Sequence, residues 1–173
     1  MPQYAPDARR VIVAHLGGGC SICAMADGKS MDTSLGFSAV DGLPMSTRAG
    51  EIDAGVLLHL LIADRMEPVA LEKLLYKQSG LLGISGISGD MRELEDSEAP
   101  EAAEAIEYFV YHIVKFIGAY TAVLGGLDAL VFTAGIGEHS PLVRGKVCEK
   151  LGWLGVAIDA QANAANGPCI SAA

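Results

Sequence analysis

The feature that most constrains this chain is the apolar run Val11 to Leu16, stopped at once by Gly17, Gly18 and Gly19. A run of that length ended by glycine suits a strand buried on both faces and closed by a loop. Ser21 to Ala26, then Asp27-Gly28, then Lys29 to Thr33 read as a hairpin, because Asp-Gly accepts the positive φ values of a two-residue turn. Three strands therefore open the chain. With 173 residues and 51% hydrophobic content there is enough apolar side chain for one core of ordinary size, so a single α/β domain over residues 1–173 is the expectation.

Beyond the hairpin the signals turn helical. Gly, Ser and Pro crowd Ser34 to Gly50, after which Ile52, Val56, Leu57, Leu60 and Leu61 recur at helical spacing from about Glu51 to Asp64. Pro68 suits a first helical turn and predicts a helix to Lys77, followed by a glycine-serine loop from Gly83 to Gly89. Pro100 to Leu124 carries a broad apolar face from Ile106 to Val123, and Gly125-Gly126 ends it. Ala129 to Thr133 reads as a buried strand, Ser140-Pro141 as the cap and first residue of a helix to Leu151, and Val156 to Ile158 as a last strand. The Ala-rich end from Ala160 to Ala173 looks loosely specified.

Composition narrows the partners. A net charge of −9 supplies no basic stripe, so neither nucleic acid nor an anionic membrane surface is expected, while small phosphates held by local loops stay open. Cys20 and Cys23 have the C-x-x-C spacing of a redox or zinc pair, but no second pair exists, and three positions along a strand put them on opposite faces. Reduced thiols fit a cytoplasmic location. Met1 to Arg10 lacks the apolar stretch of a signal peptide, and Glu107, His112 and Lys115 argue against a membrane span in the long helix.

Four segments can carry chemistry. His15-Leu16-Gly17-Gly18-Gly19 follows a strand, where side-chain-free backbone lets several N–H groups converge on one anion; a tight turn that needs glycine for its dihedrals is the alternative. Thr133 to Ser140, with Gly135, Ile136, Gly137, Glu138 and His139, joins a strand's carboxyl end to a helix, the usual nucleotide crevice of α/β sheets, or else is an ordinary connection. Asp90-Met91-Arg92 offers a carboxylate for ribose or adenine hydrogen bonds and a guanidinium to stack or pair, unless Asp90 only caps a short helix. Arg48, in Met45 to Glu51, is a permanently charged fork for phosphoryl oxygens, or a surface ion pair with Glu51 or Asp53. Two commoner motifs are excluded: Cys23 stands where a P-loop before Gly28-Lys29-Ser30 needs its first glycine, and Ile22 stands where a dinucleotide fingerprint needs its third.

Taken in order, these segments resemble the acetate and propionate kinase family, whose patterns include H-L-G-N-G, D-T-S-M-G-F, G-T-R-x-G-x-x-D, D-M-R and G-I-G-E-N. Here they read His15 to Gly19, Asp32 to Phe37, Ser46 to Asp53, Asp90 to Arg92 and Gly135 to His139. The resemblance runs from about Val11 to Asn163 and includes Ser79 to Ser85. It implies the ribonuclease H-like fold of the actin, sugar-kinase and heat-shock-protein ATPase type, opening βββα with a mixed sheet flanked by helices, and matching only the second of the family's two domains. It implies an ATP/ADP cofactor, acetate or propionate as phosphoryl partner, and a homodimer to which the helix from about Pro100 contributes.

By the same resemblance His15 to Gly19 hold the ATP phosphates, Asp90 to Arg92 and Gly135 to His139 hold the adenosine, and Arg48 is the catalytic residue that stabilises the transferring phosphoryl group. Within the nucleotide-holding segments two positions depart: Gly18 and His139 stand where the family carries asparagine. Gly18 removes a side-chain donor to phosphate, whereas His139 still hydrogen-bonds. The family's first domain, with its carboxylate pocket, second arginine, histidine and aspartate, has no counterpart here. Mg2+ is expected for the family, but its glutamate ligand falls in a C-terminal segment that this sequence does not contain, so no metal ligand is assigned. Weak nucleotide binding and little turnover are expected of the chain alone; a non-catalytic nucleotide-binding or dimerisation module is the alternative.

Overall fold

A computed structural model describes residues 4–172. The chain gathers into two compact units, residues 1–34 with 110–173, and residues 35–109, where the sequence suggests one domain.

Unit 1 is built on a four-stranded sheet. Strands β1 (Arg10–Leu16), β2 (Cys20–Ala26) and β3 (Lys29–Thr33) pair antiparallel in sequence, and β4 (Ala129–Thr133) joins β1 in parallel, giving the order β3-β2-β1-β4. The βββα opening with a mixed sheet is thus present. Asp27 and Gly28 take φ of 48° and 76°, the left-handed pair expected of the Asp-Gly turn. β1 is not covered on both faces. Ile12, Ala14 and Leu16 are fully buried, with Cys20, Ile22 and Ala24 opposite them, whereas Val11 and Val13 are half-buried and His15 is exposed. Each fully buried Leu or Ile contributes about 1.5–3 kcal/mol, so this one face supplies much of the driving force for unit 1.

After β4 come α6 (Ala134–His139), α7 (Pro141–Lys150), a 3₁₀ turn (Gly152–Leu154) and α8 (Ala160–Ala164). Ser140 caps α7 through its hydroxyl and Val143 N–H, with Pro141 in the first turn. The expected strand at Val156 to Ile158 is reduced to one bridge, Ile158 with Ser171. The Ala-rich end is better specified than composition suggests: Asp159 caps α8 through Ala162 N–H, and Asn163 is buried.

Unit 2 holds α1 (Ala54–Ile62), α2 (Pro68–Lys77), α3 (Gly80–Ser85) and α4 (Met91–Glu95). Asp53 caps α1, so that helix begins three residues later than its periodicity implies. The stretch expected as a loop from Gly83 is helical as far as Ser85. The 25-residue α5 (Pro100–Leu124) carries the chain from unit 2 into unit 1 and buries Ile106, Phe109, Ile113 and Ile117 along one stripe.

Candidate functional site

In unit 1 the candidate residues come together because β1 and β4 are parallel neighbours whose carboxyl ends lie at one edge. The register pairs His15 with Thr133, which places both side chains on one face, and His15 Nδ1 lies 3.0 Å from Thr133 Oγ1. Past Leu16 the chain turns back through Gly17, Gly18 and Gly19. None of the three has a φ in the left-handed range, so the turn does not need glycine for its dihedrals. It needs room instead: a Cβ on Gly17 would lie 3.3 Å from the Cβ of Ala134, while one on Gly18 would meet nothing within 4 Å. Leu16 points into the core, and the buried Cys20 thiol donates to Gly17 O (3.0 Å), bracing the loop from below.

The segment after β4 is a six-residue helix that starts without an intervening loop. Ala134 is held at φ 66°, a conformation that costs an L-residue about 1–2 kcal/mol. Glu138 offsets this by accepting from Ala134 N–H (3.0 Å), and His139 Nδ1 lies 3.2 Å from Gly135 O. Glu138 and His139 therefore brace their own turn, Gly137 is buried, and Gly135 and Ile136 complete it. Arg144 donates to Gly137 O from α7 (3.0 Å); nothing in the motif comparison signals this residue.

A cleft of about 890 Å³ runs along the edge of β4 and is walled by Leu130, Phe132, Glu138, His139, Arg144 and the segments 154–158 and 166–172. It touches one side of the α6 turn and leaves out the glycine loop, so the site is defined by the two loops and not by this cleft. Cys148, on its wall, is buried, and burial pushes its thiol up to about 11, leaving it protonated and unreactive at neutral pH.

Unit 2 carries the other two motifs. Arg48 stands in a loop clamped through its backbone: Leu81, Leu82 and Ser79 N–H donate to Met45 O, Ser46 O and Thr47 O at 2.8, 3.0 and 3.1 Å. These amides at the start of α3 have no partner within their own helix, so the loop and the helix satisfy each other. Ser46 Oγ donates to Gly89 O (2.6 Å), tying the Arg48 loop to the Asp90 motif. Arg48 is half-buried and, among the described residues, pairs with neither Glu51 nor Asp53. Its Nη1 donates to Ala39 O (3.1 Å) and approaches Met45 Sδ (3.7 Å).

Asp90 caps α4 through Arg92 N–H (3.0 Å), and the Arg92 side chain folds back on the same carboxylate at 2.6 Å. That side-chain contact, seconded by the backbone one, holds the Asp90 carboxyl below its ordinary range. Met91 is buried, so the motif presents Asp90 and a largely exposed Arg92 to a ligand. Among the described residues no group of three or more His, Cys, Asp or Glu side chains is arranged to hold a metal ion.

Compared with known proteins, residues 3–172 match the acetokinase family. The chain is 57% identical over 155 residues to an acetate kinase of Rhodopseudomonas palustris, covering 90% of this chain and 39% of that protein. Crystal structures of Porphyromonas gingivalis acetate kinase and of a propionate kinase from Francisella tularensis superpose with TM-scores of 0.90 at 41% and 43% identity; each covers 96% of this chain, and 43% and 44% of the respective known chains. The chain thus spans about two fifths of the length of the relatives it matches.

Proposed function

The chain belongs to the acetokinase family, and on that premise we propose that it is the nucleotide-holding part of a phosphotransferase that moves phosphate reversibly between ATP and a short-chain carboxylate such as acetate or propionate. The observation that carries the reading is the meeting of Gly17–Gly19 and Gly135–His139 at the carboxyl ends of two parallel strands, where open α/β sheets bind their ligands.

On this reading the amides of Gly17 to Gly19, with Leu16 backbone and the His15 side chain, hold the phosphates of ATP or ADP. The α6 turn and Asp90–Arg92 hold the adenosine. Arg48 takes the transferring phosphoryl group: its backbone is clamped and part of its fork is free, the preorganisation that lets a guanidinium follow charge as it develops. Phosphoryl transfer asks a protein chiefly for positioning and charge neutralisation, and these segments supply both. When bound, Mg2+ would neutralise phosphate charge, though among the described residues no group of three or more His, Cys, Asp or Glu side chains is placed to hold it.

The reading extends to a homodimer to which α5 contributes, and α1 offers a second apolar surface, where Leu58 and Ile62, one turn apart, are 57% and 73% exposed. It extends also to a cytoplasmic location, which the free cysteines and the metabolic class of the proposed reaction support.

The test is ATP formation from acetyl phosphate and ADP by the purified chain with magnesium, beside calorimetric nucleotide titration. Micromolar to millimolar binding with slow turnover that Arg48→Ala lowers by about 10³-fold supports the reading. Binding with no turnover favours the non-catalytic module, and no binding contradicts both.

A further inference from the structure

Arg144 is 2% exposed, yet among the described residues its guanidinium pairs with no carboxylate. Its Nε donates to Asn163 Oδ1 (2.8 Å), Nη1 to Gly137 O (3.0 Å), and Nη2 to Asn163 O (2.8 Å) and Asn166 Oδ1 (2.7 Å). Asn163 Nδ2 closes the circuit on Pro141 O (2.9 Å). Burial pushes the guanidinium down from its ordinary value, which marks a cation lodged in an unfavourable place without a full counter-charge. Two of its acceptors are carbonyls near the carboxyl ends of α6 and α8, where aligned peptide dipoles leave partial negative charge. Of the natural side chains, only this planar fork reaches acceptors on both of those segments and the loop beyond α8 from a single position on α7.

We infer that Arg144 is a positioning residue that locks the turn Gly135–His139 to the segment Asp159–Asn166. The inference rests on the proposed function for its consequence: the shape of a nucleoside-binding turn is set by residues well downstream of it. A guanidinium used only to hold the fold together would stabilise both loops of unit 1 alike. This one bonds Gly137, in the middle of the α6 turn, and none of its bonds reaches His15 to Gly19, so its influence falls on the nucleoside end and not on the phosphate end.

The test compares Arg144→Lys, the milder Asn166→Ala and the control Val147→Ala with the unaltered chain. Val147 is fully buried on the same helix and outside the network, so its truncation lowers stability without touching the coupling. Amide hydrogen exchange is expected to rise about tenfold at Gly135–His139 in Arg144→Lys and about threefold in Asn166→Ala, with β1 and β2 unchanged once global stability is matched. Calorimetry is expected to show ATP affinity falling by a like factor in both, while inorganic tripolyphosphate, which has no nucleoside, binds within about twofold of the unaltered chain. Exchange at the turn that stays at its original rate, or that Val147→Ala raises equally, overturns the inference; so does a matched loss of ATP and tripolyphosphate. A chain that binds tripolyphosphate and ignores ATP contradicts the proposed function instead, and the exchange comparison still decides for or against Arg144.

Discussion

At Gly18 a Cβ would meet nothing within 4 Å, so the asparagine that the family pattern carries there can be introduced without displacing a neighbour. Gly18→Asn is expected to tighten ATP binding by about tenfold, the lower end of what one added hydrogen bond to a charged group contributes, and to leave the melting temperature unchanged. Calorimetry and thermal unfolding check the two halves of that statement, and an unchanged affinity would mean that the loop does not face phosphate. Asp128 allows a second test at this scale. Its carboxylate takes the Arg10 side chain and the N–H groups of Arg10 and Arg9 at the entry to β4, and the Arg10 side-chain contact is the largest cause holding its pKa well below the usual carboxylate range. A depressed folded value contributes stability that is present above the unfolded value of about 3.9 and is lost as pH falls through the folded one. The stability difference between the unaltered chain and Asp128→Asn should therefore be constant at neutral pH and shrink below about pH 4. A difference that holds to pH 2 would refute it.

Among the elements, α3 shows what a short helix contributes when its free amides are spent on a neighbouring loop. Gly80 has φ 60°, and a Cβ there would collide with Met45 O and lie 2.6 Å from Arg48 O. Gly80→Ala should cost more than about 2 kcal/mol and displace the Arg48 loop, so that chemical denaturation and turnover fall together; a variant of normal stability would show that the clamp is loose. The same element explains the limits of the sequence. The hairpin, α2, α5, β4 and α7 could be read because each carries its own period, cap or turn residue. The helical start of α3 could not, since the groups that accept its first amides lie more than thirty positions upstream at Met45 to Thr47. Val156 to Ile158 has the residues of a strand but only a one-residue bridge to pair with, and six residues with two glycines are helical at α6 because Glu138 satisfies the Ala134 amide. The candidate site was legible as motifs; the clamp that holds Arg48 and the contacts of Arg144 were not. One signal for Arg144 was available: it shares a helical stripe with Val147, Cys148 and Leu151, all buried, which places an arginine inside the fold.

For the whole molecule, each unit has its own core and its own part of the proposed chemistry: the two loops in unit 1, Arg48 and Asp90–Arg92 in unit 2. The apolar surface of α1 is the feature that a lone chain leaves least explained, since no residue of that helix is buried. If a second copy covers it, Leu58→Glu with Ile62→Glu converts a dimer to a monomer in sedimentation velocity without loss of fold, and an unaltered chain that sediments as a monomer removes the dimer. The central claim is that nucleotide binds where β1 and β4 end. It is tested most directly by titrating ATP into the isotope-labelled chain and following backbone amide shifts. The account predicts that Gly17, Gly18 and Gly19 shift together with Gly135, Ile136 and Gly137 along one binding curve, and shifts confined to other residues, or none at saturating ATP, would contradict it.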